Sequence, residues 1–154
     1  MKIRLGYVSI SKTLNDITCS KTITYTNYNK LSNEEQKLKL DEIITSNLDN
    51  LEKIIKYNIK NNIHFYRITS KLIPLATHTN VKYDYIKNEK YINYYKEIGK
   101  KVNENKMRVD IHPDHFCILN STNPDIVKSS IKILEYHSNL LRCFSFCHIY
   151  HSFL

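Results

Sequence analysis

Short β-prone segments alternate with longer amphipathic segments along the chain. Residues 3–8, 63–68 and 107–111 are each short, apolar or alternating, and rich in β-branched or aromatic side chains. Each of them predicts a strand. Residues 9–31, by contrast, are polar, rich in Ser and Thr and without a helical period. They predict a long loop, and a loop of that length in a compact domain is usually functional or disordered.

Three amphipathic helices are predicted between and after the strands. The first begins at a capping box formed by Ser32 and Glu35 and runs to about residue 60. The second is weakened by Gly99, and the third begins at Asn123 and Pro124, an N-cap followed by a proline at the first helical position. The predicted apolar faces are, in order, Leu40, Ile43, Ile44, Leu48, Leu51, Ile54 and Ile55; Tyr91, Tyr95, Ile98 and Val102; and Val127, Ile131, Leu134 and Leu141.

The order of these elements is β, α, β, α, β, α. This order favours parallel strands joined by right-handed helical crossovers, in one α/β domain of 154 residues. Three such βα units are about three-eighths of a TIM-type barrel, whose usual size is about 250 residues. From the pattern alone, a small flavodoxin-like sheet fits equally well.

The character of the sequence changes after Arg142. Residues 143–154 contain no charged side chain other than histidine, whereas lysine and glutamate recur throughout the preceding chain. The sequence therefore predicts a folded unit over residues 1–142 and an ill-fitting C-terminal tail over residues 143–154. Such a tail would be aberrant or disordered, as out-of-frame translation would leave it.

Net charge bears on the class of partner. The chain carries 23 Lys and Arg against 15 Asp and Glu, a formal net charge of +8 at pH 7. Such an excess favours phosphate-bearing partners such as nucleic acids. The chain is also rich in Lys, Asn, Ile and Tyr, with Gly 2 and Trp 0, a composition that an AT-rich genome produces. Charge alone therefore leaves a nucleic-acid binder and an ordinary solvated surface both open.

Cysteine usage and hydropathy bear on location. The four cysteines, at positions 19, 117, 143 and 147, lack the even framework of a small secreted protein. The N-terminal residues predict a strand rather than a signal peptide, and no apolar run approaches the roughly 18 residues that span a bilayer. The sequence predicts a cytoplasmic protein with free thiols and no membrane partner.

Two histidines follow predicted strands and are candidates for chemistry. His112 comes directly after the third strand, where a neutral imidazole could ligate a divalent metal or simply bond to a backbone carbonyl. His78 lies in the loop after the second strand, where a histidine by itself is most often a solvent-exposed bystander. Because α/β folds keep their sites at the carboxyl ends of parallel strands, both positions are plausible for a site.

Charged and aromatic neighbours offer contacts to a nucleic acid. Arg67 and Lys71 could meet phosphate oxygens, Arg with forked geometry and Lys as a point charge, or they could belong to a solvated loop. His115 and Phe116 could stack on bases, which is worth about 1–3 kcal/mol per base. The alternative for this pair is a surface histidine beside a buried phenylalanine.

Three segments together resemble one family, the UV damage endonucleases, which are metal-dependent DNA repair enzymes on a TIM-type barrel. The segments are Gly6-Tyr7, Ser70 to His78, and His112-Pro113-Asp114-His115-Phe116. The resemblance covers residues 1–142 and implies the N-terminal part of such a barrel, about three βα units. It implies an enzyme that nicks double-stranded DNA on the 5′ side of UV photoproducts in excision repair, as a monomer in its full-length form.

The resemblance also implies roles for individual residues. His112 is the expected ligand of a divalent metal, manganese in this family, and His78 and Lys71 are the expected catalytic residues near the scissile phosphate. The expected DNA- and lesion-binding residues are Tyr7, Arg67, His115 and Phe116. His115 departs from the family, which typically carries glutamine there.

Most metal ligands of the family come from strands later than the three predicted here. The 154 residues are therefore expected to be a truncated form, inactive alone. Two alternatives remain: a non-catalytic remnant that binds nucleic acid by charge, and a sugar isomerase-like barrel. His137, on the third helix, matches no metal-ligand position of the family and is expected to have a structural role.

Overall fold

The structure, a computed structural model, describes residues 5–113 and 116–145. Within them, three strands form one parallel sheet in the order β1-β2-β3, with four helices. This confirms the predicted α/β class. In chain order the elements are β1 (Gly6–Val8), α1 (Tyr25–Tyr28), α2 (Asn33–Lys60), β2 (Phe65–Ile68), α3 (Glu89–Glu104), β3 (Arg108–Ile111) and α4 (Pro124–Cys143).

Local signals in the sequence determine the bounds of α2. The Ser32 hydroxyl accepts a hydrogen bond from the Glu35 amide, and the Glu35 carboxylate accepts one from the Ser32 amide at 2.9 Å, as the capping box predicts. The helix ends at Lys60 with Asn61 as its C-cap, and Asn62 takes a left-handed conformation with φ 54°. All seven apolar residues predicted for its buried face are buried. The prediction for this helix is confirmed.

The second predicted helix, α3, buries the face that its spacing predicts: Tyr91, Tyr95, Ile98 and Val102. Gly99 lies on the same side, and a Cβ at this position would overlap the carbonyl group of Phe144. The Phe144 ring packs edge-on against Tyr95, with 5.1 Å between ring centroids. The glycine that weakens α3 as an isolated helix therefore allows the end of α4 to approach it closely.

The N-terminus of α4 is as predicted, but its buried face is not. Asn123 caps the helix and Pro124 opens it. Of the predicted face, Ile131 is 45% exposed. The buried residues of α4 are Ser130, Tyr136, His137 and Leu140.

Hydrogen bonds between side chains of α4 and loops outside the helix explain this difference. The Ser130 hydroxyl accepts a hydrogen bond from the Ile118 amide at 2.8 Å and donates its proton to the Ile126 carbonyl at 2.9 Å. The Tyr136 hydroxyl accepts one from the Ile73 amide at 3.2 Å. Because buried polar groups need partners, these contacts fix which side of α4 faces inward.

The long loop predicted over residues 9–31 contains one short helix, α1, that the sequence pattern did not indicate. Asparagines of α2 hold the rest of the loop. Asn47, fully buried, accepts a hydrogen bond from the Lys21 amide and donates to the Lys21 and Leu72 carbonyls, each at 2.9 Å. Asn50 donates to the Thr18 carbonyl at 2.8 Å. The loop is thus tied to α2 through side chain–backbone bonds.

The two faces of the sheet differ in burial. In β2 and β3 buried and half-buried residues alternate, so the buried Tyr66 and Val109 pair on one face while Arg67 and Asp110 pair on the other. The buried face belongs to the same apolar core as α2, α3 and α4. The second face, where Val8 is 49% exposed, is called the open face below.

The predicted tail begins inside a helix. Cys143 is the last residue of α4, and Phe144 is fully buried in the core. These two residues therefore belong to the folded unit. Residues 146–154, the rest of the predicted tail, lie outside the described residues.

Among the described residues, no helix has both the length and the apolar character needed to cross a membrane. Cys19, Cys117 and Cys143 are free thiols. The cytoplasmic location stays a prediction.

Candidate functional site

The segments that follow the three strands meet at one edge of the sheet, called the carboxyl edge below. Past the end of β1, the Ser9 amide donates to the Arg67 carbonyl at 2.9 Å. Past the end of β3, the His112 amide donates to the Ile68 carbonyl at 3.3 Å. Parallel strands bring their carboxyl ends together in this way, which is where α/β folds place their sites.

The loop between β2 and α3 carries two of the predicted site residues, Lys71 and His78. Lys71 is exposed, and its amide donates to the Thr69 hydroxyl at 3.2 Å. Leu75 has φ 55°, an uncommon conformation for a leucine, and its carbonyl accepts a hydrogen bond from the His78 amide at 3.0 Å. This turn fixes the backbone that presents His78.

The His78 ring is held by two contacts. It stacks on the Tyr25 ring with 3.9 Å between centroids and 17° between planes. Its Nδ1 accepts a hydrogen bond from the Asn80 amide at 3.3 Å. With Nδ1 as an acceptor, the neutral ring carries its proton on Nε2, which makes Nε2 a donor. That donor could reach a phosphate oxygen.

His112 is exposed at the carboxyl edge, directly after β3 and before Pro113. An exposed imidazole at this position can supply one ligand to a divalent metal. Among residues 5–113 and 116–145, no three side chains of His, Cys, Asp or Glu are grouped as a metal site requires. The described residues therefore supply one expected metal ligand, His112, and do not by themselves form the ligand set of a metal cluster.

His137 lies at the same edge, although the sequence indicated only a structural role for it. It is 5% exposed, and within the described part of the chain neither of its ring nitrogens has a hydrogen-bond partner. It lines a cavity of about 160 Å³ together with Lys71 and Ile73 of the β2–α3 loop. Burial, and to a smaller extent the nearby His112, lower the pKa of His137 to about 4. The imidazole is therefore neutral at physiological pH.

A signal for His137 was present in the sequence. It follows Leu134 by three residues and precedes Leu141 by four, so it shares their side of α4. A polar residue on the apolar side of a core helix indicates that its side chain has a specific role. The sequence could not indicate which role, because the β2–α3 loop that shares its cavity is about 60 residues away along the chain.

Tyr7 lies on the other side of the sheet from the open face. Its hydroxyl donates to Asn58 Oδ1 at 2.8 Å, and its ring packs edge-on against Tyr66 with 5.2 Å between centroids. Burial raises the pKa of this phenol. The structure therefore brings Tyr7 to α2 rather than to the side chains of His78 and His112, and its lesion-binding role stays a prediction.

Arg67 lies on the open face in a forked ion pair. Its Nε and Nη2 donate to the two carboxylate oxygens of Asp110 at 2.7 and 3.1 Å. The hydrogen bond to Asp110 raises the pKa of Arg67. Its guanidinium also lies 5.8 Å from the centre of the Phe65 ring. The predicted phosphate contact of Arg67 would compete with Asp110, a partner that only the strand register reveals.

Phe116 is 69% exposed, four residues beyond His112. The alternative of a buried phenylalanine at this position is therefore wrong. Base stacking by an aromatic ring requires such exposure to solvent. His115, the other predicted lesion-binding residue here, lies outside the described residues.

Comparison with known proteins decides the family. The sequence model described as UV-endonuclease UvdE matches residues 3–150. The chain belongs to this family. The UV DNA damage endonucleases of Bacillus cereus strain B4264 and Bacillus mycoides strain KBAB4 are each 38% identical to it over 141 residues. In both cases the match covers 92% of this chain and 44% of the relative.

A solved structure supports the same relationship. The crystal structure of SacUVDE superposes with a TM-score of 0.82 at 34% identity. The match covers 94% of this chain and 46% of SacUVDE. The chain thus spans less than half the length of these UvdE relatives, and almost all of it is accounted for by their fold.

Proposed function

We propose that this UvdE chain forms the N-terminal part of a TIM-type (β/α) barrel that acts as a DNA repair endonuclease on UV-damaged double-stranded DNA. The barrel nicks the strand on the 5′ side of the photoproduct and so begins excision repair. The observation that carries the proposal is that the segments following β1, β2 and β3 meet at one edge of a parallel sheet, in a chain of this family.

Surfaces left uncovered in the described residues support a partial barrel. The open face carries the exposed Val8, half-buried Phe65 and the partly exposed Arg67–Asp110 pair. In a closed barrel this face points inward. On α4, Ile131 is 45% exposed, and a further βα unit of a barrel would pack over it.

Each site residue then has a task in binding DNA. Phe116 inserts beside the lesion and stacks on a base. Lys71 meets a backbone phosphate as a point charge, and His78 donates from Nε2 to a phosphate oxygen near the scissile bond. His137 stays neutral. It lines the cavity beside the loop that carries Lys71 and so supports that loop.

His112 is the proposed metal ligand, and manganese is the proposed ion. When bound, divalent ions stabilise the charge that develops on the attacking and leaving oxygens of a phosphodiester. Because the described residues supply one proposed ligand, His112, we assign no chemical step to a metal that they alone would hold. The 154 residues are accordingly proposed to bind damaged DNA without cleaving it.

A binding measurement tests the proposal. Fluorescence anisotropy compares an intact duplex with the same duplex carrying one photodimer, at fixed salt. The chain is expected to prefer the damaged duplex, and Phe116→Ala to lose most of that preference, about 1–3 kcal/mol. Leu119→Ala, which removes another half-exposed apolar side chain of the same segment, is the control and should retain it.

Equal affinity of the unmodified chain for both duplexes would contradict the proposal. It would favour the alternative of a remnant that binds nucleic acid by charge alone. A second measurement tests the claim of inactivity: nicking of irradiated plasmid by the chain in manganese. Cleavage above a metal-free control would show that these residues suffice for catalysis.

A further inference from the structure

A second cleft opens at the carboxyl edge, between the start of α2 and the start of α3. Its volume is about 560 Å³. Lys37 of α2 and Lys82 and Lys87 of the β2–α3 loop line it, together with Tyr28 and Tyr83. We call it the lysine cleft. None of the residues to which a function has been assigned above belongs to it.

The positive charges of the three lysines in the cleft can attract a negatively charged partner. All three are exposed, and none forms an ion pair within residues 5–113 and 116–145. Lys90, close by in sequence, differs because it pairs with Asp41 at 2.6 Å. The three lysines therefore present positive charge that no ion pair with the described residues neutralises.

One carboxylate, that of Asp84, also lines the cleft. Its Oδ1 accepts hydrogen bonds from the Ile86 and Lys87 amides at 3.1 and 2.9 Å. Asp84 thus holds the turn that leads into α3. Three lysines against one aspartate leave an excess of two positive charges. The charge is spread over three positions from two segments, which suits a repeating polyanion better than a single phosphate group.

The lysine cleft is connected to the proposed site through α1. Tyr25, the first residue of α1, stacks on His78, and its hydroxyl accepts a hydrogen bond from Asn80 Nδ2 at 3.4 Å. Tyr28, one turn further along α1, lines the cleft. One helical turn is about 5.4 Å. A DNA strand that crosses His78 would therefore reach the lysine cleft within a few nucleotides.

We propose that the lysine cleft binds the sugar–phosphate backbone of the DNA beyond the lesion and thereby sets the direction in which the duplex lies on the carboxyl edge. The inference rests on the proposed function and extends it to a second contact. Contacts of lysine with phosphates position a protein on the duplex without reading the sequence or the damage. The cleft should therefore raise affinity for damaged and intact duplexes by the same factor.

Salt dependence of binding gives the test. The triple variant Lys37→Gln/Lys82→Gln/Lys87→Gln is compared with Lys53→Gln/Lys60→Gln/Lys106→Gln, which removes the same charge from exposed lysines outside the cleft. Each phosphate contact adds about 0.9 to the slope of log affinity against log salt. The cleft variant is expected to lower that slope by about 2–3, and the control variant by less than about 1.

A measurement without mutation supplements the variants. Lysine acetylation of the unmodified chain, with and without duplex, is read by mass spectrometry. Protection by DNA is expected at positions 37, 82 and 87, and not at 53, 60 and 106. Equal slopes for the two triple variants, together with equal protection of both sets, would overturn the inference and leave only a bulk charge effect.

The two proposals can fail separately. If the chain prefers damaged duplex but the two triple variants behave alike, the lysine cleft is not a DNA site and the proposed function stands. If the cleft variant alone loses slope while the chain shows no preference for damage, the backbone contact stands and the lesion-specific function falls. Absence of any DNA binding at low salt would overturn both.

Discussion

The hydroxyl of Tyr136 on α4 accepts a hydrogen bond from the backbone amide of Ile73 in the β2–α3 loop at 3.2 Å. The same hydroxyl donates to the Ser70 carbonyl at 3.3 Å. A single side chain thus satisfies two backbone groups of the loop that presents Lys71 and His78. The position of the proposed site consequently depends on a helix that follows the third strand.

Tyr136→Phe should loosen this loop. The variant keeps the ring and leaves the amide of buried Ile73 without a partner, which costs about 1–3 kcal/mol. We expect a lower urea midpoint and faster amide hydrogen exchange over residues 70–78. Tyr85→Phe is the control, because the Tyr85 ring packs on Tyr136 at 5.7 Å while its hydroxyl makes no hydrogen bond within the described residues. If both variants exchange alike, Tyr136 does not hold the loop.

Gly99→Ala should destabilise the protein even though alanine favours helices. The intrinsic gain in α3 is about 1 kcal/mol. The added methyl would overlap the backbone of Phe144, and forcing extra volume into a packed contact costs about 1–3 kcal/mol or more. We expect a net loss of stability in urea unfolding, with Lys100→Ala, on the exposed side of α3, near neutral. A higher midpoint for Gly99→Ala would show that α4 does not end against α3.

The sequence was sufficient to predict those features of the fold that depend on residues close together along the chain. The capping box of Ser32 and Glu35 and the spacing from Leu40 to Ile55 defined α2. The order of strands and helices also predicted that the segments carrying His112 and His78 follow the carboxyl ends of parallel strands, while the roles of these two residues stay predictions. The four residues of α1 were missed because a single turn with Tyr, Thr and Asn leaves no period and has weak helix propensity.

Features that depend on contacts distant in sequence were not predictable in the same way. The buried face of α4 follows from bonds of Ser130 and Tyr136 to loops, which no helical pattern contains. The Arg67–Asp110 pair requires the register between β2 and β3. The surroundings of His137 can be predicted only when it is known that α4 packs against the β2–α3 loop. These are the parts of the site that the structure adds.

His137 should make stability depend on acid. Its pKa is about 4 in the fold, against an ordinary value of 6.5, chiefly because burial disfavours the charged ring. Between these values the unfolded chain binds a proton that the folded chain does not. Stability therefore rises with pH from about 4 to 6.5 and is lost on acidification, by about 3 kcal/mol for a shift of this size at about 1.4 kcal/mol per unit.

The contribution of His137 can be isolated by comparing free energies of unfolding at several pH values between 4 and 7. In His137→Leu the stability profile should be flatter over this window, and stability at pH 7 should be retained or improved because two unpartnered nitrogens are removed. His64→Gln, at an exposed position, should keep the slope of the unmodified chain. NMR titration of the ring checks the cause directly: a midpoint for His137 near 6.5 would mean that water reaches the cavity freely and that the ring is not desolvated.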